Sequence, residues 1–160
     1  MNANAAVSEP MSQLEIRKGA DAALAVGGLR FVACRREVDV VDGGITLYVN
    51  SALPGDDREL LRFDLFRNRP HYHAPAENAQ ETGIPSSTEG GVREWVIDQL
   101  SRRAGELVEE AGFHALRAQL DPAAIAAAPP ALRRLLDGLA EPTEISYFPI
   151  PTAKLEALKR

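Results

Sequence analysis

Alternating apolar and polar residues predict strands in the first half of the chain. From Ile45 to Asn50 the two kinds alternate at every position, as in a strand with one buried face. Leu29–Val41 and Glu59–Phe66 are rich in Val, Leu and Phe, as strands are. Turn residues separate the runs, at Asp42–Gly44 and Leu53–Asp57. We therefore predict a three-stranded antiparallel meander, and Leu14–Arg17 could add a short strand before it.

The pattern changes in the second half to one typical of helices. From Gly90, apolar residues recur at spacings of three and four, which predicts an amphipathic helix of about five turns. The helix is predicted to end either at Gly112 or, if it runs on, at Leu120. Asp121 is a capping residue followed by proline, which predicts a short helix. Glu144–Ile150 is strand-like again and predicts one late strand.

Strands followed by helices predict an α+β fold. We expect an antiparallel β-meander of roughly three to five strands. A long amphipathic helix and shorter C-terminal helices should cover one face, the face that carries Leu61, Phe63 and Leu65. With 160 residues, the chain has the length of one ordinary domain. We predict a flexible tail over residues 1–13 and a single domain over residues 14–160.

Composition narrows the classes of partner. The net charge of −5 argues against general nucleic-acid binding, which usually relies on a basic surface. No apolar run approaches the roughly 20 residues of a membrane-spanning helix, and the N-terminus has no secretory pattern. The expected location is therefore the cytoplasm. The only cysteine, Cys34, excludes a disulfide within the chain and predicts a small buried apolar residue.

The stretch from Arg62 to His73 is where the sequence offers chemistry. His71 and His73 are two apart, so in extended backbone both imidazoles point to one side, as in many metal sites. A divalent transition metal would be the cofactor. A third ligand would come from one of four residues, and spacing does not select among them: Asp64, Glu77, Glu37 and His114.

The same residues fit two other hypotheses. In the first, His71 and His73 exchange protons while Asp64 orients one of them, as in small metal-independent ribonucleases. The surrounding side chains would then hold an anionic ligand; these are Arg62, Arg67, Arg69 and Tyr72. In the second, the histidines are only a polar rim at a strand end. The leucine-rich helical half would then bind a protein partner or a second copy of the chain.

The motifs around Arg62–His73 also resemble those of a known protein family. Leu61-Arg62-Phe63-Asp64-x-Phe66, followed by Pro70-His71-Tyr72-His73 and a long helix, resembles a family of small bacterial proteins known as a domain of unknown function. The resemblance spans roughly Leu29–Leu120 and implies no activity. A more distant likeness is to small toxins of bacterial toxin–antitoxin systems, in which a tyrosine stands where this chain has Phe63.

Overall fold

A computed structural model describes residues 8–160 as one antiparallel sheet with helices packed against it. The predicted α+β class is confirmed, but the predicted three to five strands are too few, because the sheet has eight. The strands are β1 (Met11–Lys18), β2 (Ala22–Val26), β3 (Leu29–Val38), β4 (Asp42–Ser51), β5 (Glu59–Phe66), β6 (His71–His73), β7 (Thr82–Gly83) and β8 (Glu144–Pro151).

The strand order is β7-β6-β5-β4-β3-β1-β8, with β2 paired to β3. The strands that were not predicted, β2, β6 and β7, are too short to show an alternation in the sequence. β1 begins at Met11, inside the predicted tail, and residues 1–7 of that tail lie outside the described residues. β8 pairs with β1, as a late returning strand at the edge of the sheet.

The turn between β3 and β4 differs from the prediction. β3 ends at Val38 rather than Val41, and the predicted turn Asp42–Gly44 is the start of β4. Gly44 has φ 150°, and a Cβ built there would lie 2.2 Å from the carbonyl oxygen of Leu65. The glycine is therefore needed because β5 approaches the backbone of β4 closely at this point. The glycine pair that predicted a turn lies within a strand instead.

Helices cover one face of the sheet. Thr88 caps the long helix by accepting a hydrogen bond from the Gly91 N–H, and the chain leaves that helix through Gly112 at φ 101°. Asp121 caps a later helix, as predicted. The helices are α1 (Glu89–Glu110), α2 (His114–Arg117), α3 (Pro122–Ala126), α4 (Pro129–Asp137) and α5 (Thr152–Leu158).

The strand register gives the sheet two chemically different faces. On the helix-covered face, cross-strand neighbours form an apolar layer under α1, with Ala33, Leu47, Phe63 and Tyr72 in one row. On the opposite face, here called the polar face, one row holds Cys34, Thr46, Asp64 and His71. The next row of the polar face holds Val32, Tyr48, Arg62 and His73.

None of the helices over residues 8–160 combines the length and the apolar character required to cross a lipid bilayer.

Candidate metal site on the polar face

The pairing of β5 with β6 brings the two histidines to the aspartate. Asp64 is the direct cross-strand neighbour of His71, and Arg62 is the neighbour of His73. Residues opposite each other in an antiparallel pair have Cβ atoms roughly 4.5–5.5 Å apart, so their side chains meet. The prediction that His71 and His73 share one face is confirmed, and the register adds Asp64 to them.

Asp42 fixes the turn that leads into β6. Its carboxylate is buried and accepts hydrogen bonds from the backbone N–H groups of Gly43, Asn68 (3.1 Å) and Arg69 (2.8 Å). These bonds tie the chain after β5 to the start of β4. Asp42 thereby sets where β6 begins, and with it the register that places His71 beside Asp64.

Three potential ligand atoms converge on the polar face. The Nε2 atom of His71 lies 3.1 Å from Oδ2 of Asp64, and Nε2 of His73 lies 3.8 Å from the same oxygen. All three lie within 4.8 Å of one another. The side chains are 13%, 6% and 4% exposed for His71, His73 and Asp64. The cluster is thus nearly shielded from water and reachable from the His71 side.

Backbone carbonyls orient both imidazoles. Nδ1 of His71 lies 2.7 Å from the carbonyl oxygen of Arg69, and Nδ1 of His73 lies 2.6 Å from that of Asn78. A carbonyl oxygen only accepts, so both Nδ1 atoms carry hydrogen. The Nε2 atoms of both rings then lie on the side of Asp64, at 3.1 Å and 3.8 Å from Oδ2. Metal-binding histidines are commonly held by such a hydrogen bond from the other ring nitrogen.

Arg62 occupies one side of the cluster. Its Nη2 donates to Nε2 of His73 at 2.8 Å and its Nε to Oδ2 of Asp64 at 3.2 Å. The other carboxylate oxygen of Asp64 accepts a hydrogen bond from the Thr46 hydroxyl at 2.9 Å. The Arg62 guanidinium therefore pairs with both the Nε2 lone pair of His73 and the charge of Asp64.

His71 stands in a different situation from His73. Both of its ring nitrogens face acceptors, namely the Arg69 carbonyl and the Asp64 carboxylate. A neutral imidazole has a single N–H and can satisfy only one of them. A metal ion between His71 Nε2 and Asp64 would satisfy both of these groups.

The other residues predicted for the site do not join the ligand cluster, although Arg69 lines the groove beside His71. Arg67 pairs with Glu37, with 2.7 Å between Nη1 and Oε1, and Arg69 pairs with Glu81 at 2.8 Å. Tyr72 lies on the helix-covered face, where its ring stacks on Phe63 with centroids 5.2 Å apart.

Of the four suggested third ligands, Asp64 is the one that clusters with both histidines within residues 8–160. His114 lies beside Glu109 instead. The sequence does not identify Thr46 or Asp42 as site residues. The alternation of β4 is the one signal that indicates the face on which Thr46 lies.

Cys34 lies in the same row as Thr46 but does not join the ligand cluster. Its side chain is 3% exposed, and burial raises the pKa of its thiol. A thiol that stays protonated is a poor metal ligand and nucleophile. The predicted role as a small buried residue is confirmed.

Comparison with known proteins supports the family resemblance. A family model described as Domain of unknown function (DUF7700) matches residues 23–136, which is more than half of the chain. The chain belongs to this family. The predicted membership of a family of unknown function is thus confirmed, and the DUF7700 match includes every residue of the candidate site. β1, β8 and α5 lie outside it. No curated protein and no solved structure matches the chain significantly.

Proposed function

We propose that this DUF7700 domain binds one divalent transition-metal ion through Asp64 Oδ2, His71 Nε2 and His73 Nε2. The observation that carries the proposal is the convergence of these three atoms within 4.8 Å of one another, with Nδ1 of each imidazole held by a backbone carbonyl. A metal ion at this point would satisfy His71, whose two nitrogens otherwise compete for one hydrogen.

The distances support this ligand set. Two ligand atoms at 2.0–2.1 Å from a tetrahedral zinc ion lie roughly 3.3 Å apart. The separations of 3.1 Å and 3.8 Å lie on either side of that value. Small side-chain rotations would therefore complete the coordination without moving β5 or β6. The carbonyl hydrogen bonds to the Nδ1 atoms supply the orientation that metal ligands need.

Two imidazoles and one carboxylate leave coordination positions open. Such sets are typical of catalytic zinc and of non-haem Fe(II), whereas structural zinc usually has four protein ligands. Metal binding would displace the Arg62 guanidinium from His73 Nε2. Its side chain is 28% exposed and has room to turn outward. There it could contact an anionic group bound at the open positions. The setting that we propose is cytoplasmic, where a lone cysteine remains reduced.

Metal analysis tests the proposal directly. The protein is purified without a histidine tag, and its metal content is measured by mass spectrometry after exposure to zinc, Fe(II), nickel or manganese. We expect about one ion per chain for at least one metal, with loss in His71→Ala and His73→Ala. His114→Ala is the matched control, because this exposed histidine lies outside the cluster. Binding that survives in the double variant His71→Ala, His73→Ala would contradict the proposal, as would no binding to the wild type.

A second candidate is metal-independent phosphodiester cleavage by the same residues. The contact of Arg62 with both Asp64 and His73 favours it, because it places a cation where a phosphate could bind. Hydrolysis of RNA or of a nitrophenyl phosphodiester in excess chelator separates the two candidates. Cleavage that persists without metal and is lost in His73→Ala would support this second function.

A further inference from the structure

Arg35 is a charged residue in a row of the sheet whose other members are apolar. It lies on β3 opposite Ile45, which in turn pairs with Leu65 on β5. By alternation these three side chains point to the helix-covered face, the side opposite to Asp64. The Nε atom of Arg35 is buried and has no hydrogen-bond partner within residues 8–160. A buried polar group without a partner is costly, so this atom requires explanation.

The other two arginines nearby are already paired. Arg67 forms two hydrogen bonds to Glu37, and Arg93 forms an ion pair with Asp137. Within the described part of the chain, no comparable carboxylate partner is found for Arg35. Of these three arginines, Arg35 is therefore the one whose charge can pair with a bound ligand.

Arg35 lines a cleft of about 400 Å³ between the sheet and the first turn of α1. That volume lies within the range of small-molecule sites, roughly 300–1,000 Å³. Apolar residues form part of the wall: Ile45, Leu65, Val92 and Pro142. Three carboxylates also line it: Glu37, which is paired with Arg67, and the exposed Glu89 and Glu141.

We propose that this cleft binds a small organic monocarboxylate, with the carboxylate on Arg35 and an apolar body against the wall. A guanidinium binds a carboxylate through parallel hydrogen bonds, which would supply Arg35 with the charged partner that it lacks within residues 8–160. The apolar wall favours a hydrocarbon body over a sugar or a free inorganic ion. Glu89 and Glu141 disfavour ligands with several negative charges, such as nucleotides.

This inference is independent of the metal site. Arg35 and Asp64 point to opposite faces of the sheet, and no residue lines the cleft and also belongs to the cluster. Failure of metal binding would leave the carboxylate site intact, and the reverse holds as well.

Amide chemical shifts of the full-length protein test the site. The probes are propionate, hexanoate and 3-phenylpropionate, each paired with its neutral amide, which has the same shape without the charge. We expect saturable shifts at Gly44, Thr88 and Val92 for at least one carboxylate, and binding of its amide weaker by about tenfold or more. Arg35→Met should weaken carboxylate binding by a similar factor. Arg36→Met is the matched control, because Arg36 is the next residue on β3 and lines a groove on the polar face.

Three results would overturn the proposal. The first is the absence of saturable shifts with every carboxylate at millimolar concentration. The second is equal affinity for a carboxylate and its amide. The third is an equal loss of affinity in Arg35→Met and Arg36→Met. The comparison of carboxylate with amide uses the wild-type protein, so it holds even if a variant folds poorly.

Discussion

Phe63 and Asp64 are neighbours on β5, equally withdrawn from water, and held in place by different physics. Taken as whole residues, Phe63 on the helix-covered face is 0% exposed and Asp64 on the polar face is 3% exposed. Phe63 is stabilised by apolar burial and by stacking with Tyr72. These interactions depend on the size of the side chain more than on its precise orientation. Asp64 is stabilised only because Thr46, Arg62 and His71 supply partners in defined directions.

The difference supports our proposal that the polar face is organised for binding. A core needs only apolar residues of suitable size, and many sequences satisfy it. A buried carboxylate surrounded by two imidazoles and a guanidinium gains little stability over an apolar replacement. Its presence beneath a mostly shielded surface is better explained by binding, which is what we propose for Asp64 and its neighbours.

The largest expected effect is on the helix-covered face. Phe63→Ala should lower the free energy of unfolding by about 3–5 kcal/mol, because it removes a buried ring and leaves a cavity. Urea unfolding followed by circular dichroism measures the change. Phe148→Ala is the matched control, since that ring is 57% exposed on β8 and its removal should change stability little. Equal losses in the two variants would refute the placement of Phe63 in the core.

A smaller loss is expected on the polar face. Asp64→Ala should lower the free energy of unfolding of the metal-free protein by roughly 2–3 kcal/mol, since it removes the partner of several buried groups. Arg62 is partly solvated, which limits the loss. Asp64→Asn keeps an acceptor for Thr46 and should lose less. Urea unfolding in chelator measures both, and a more stable Asp64→Ala protein would show that the aspartate is kept only for binding.

The two faces were predictable to different degrees. Alternation in β4 and β5 predicts that Leu61, Phe63 and Leu65 lie under a helix, and the structure agrees. The same rule put Arg62 and Asp64 together on the other side. Short strands were missed, because Ala22–Val26 and Thr82–Gly83 hold too few residues to show a period. Their strand character depends on pairing with neighbours.

The site was half predictable for the same reason. Two histidines at i and i+2 must share a face once the backbone is extended, whatever the fold. The choice of Asp64 over Glu37, Glu77 and His114 needs the register of β5 with β6, which Asp42 fixes through the turn before His71. Arg67 and Arg69 lie in and beyond that turn, where alternation no longer applies. Sequence spacing alone could not have separated them from Arg62.

The smallest effect on stability is expected for the exposed ion pair between Arg67 and Glu37, which contrasts with the buried residues of both faces. The hydrogen bond from Arg67 holds the pKa of Glu37 below its ordinary value. Because the pKa is lowered in the folded state, the pair stabilises the protein above the ordinary glutamate pKa, about 4.3, and this contribution is lost as the pH falls through the lowered value. Both side chains are more than a third exposed, so screening limits the effect to about 0–1 kcal/mol.

Arg67→Gln should therefore raise the pKa of Glu37 and lower stability slightly at neutral pH, while the difference from wild type disappears in acid. Carboxyl titration by NMR and urea unfolding at several pH values measure the two quantities. Arg36→Gln removes the same charge from the opposite face of β3 and should leave Glu37 nearly unchanged. A stability difference that persisted after Glu37 is protonated would mean that Arg67 acts through packing rather than charge. An exposed pair would then behave like the buried residues of β5.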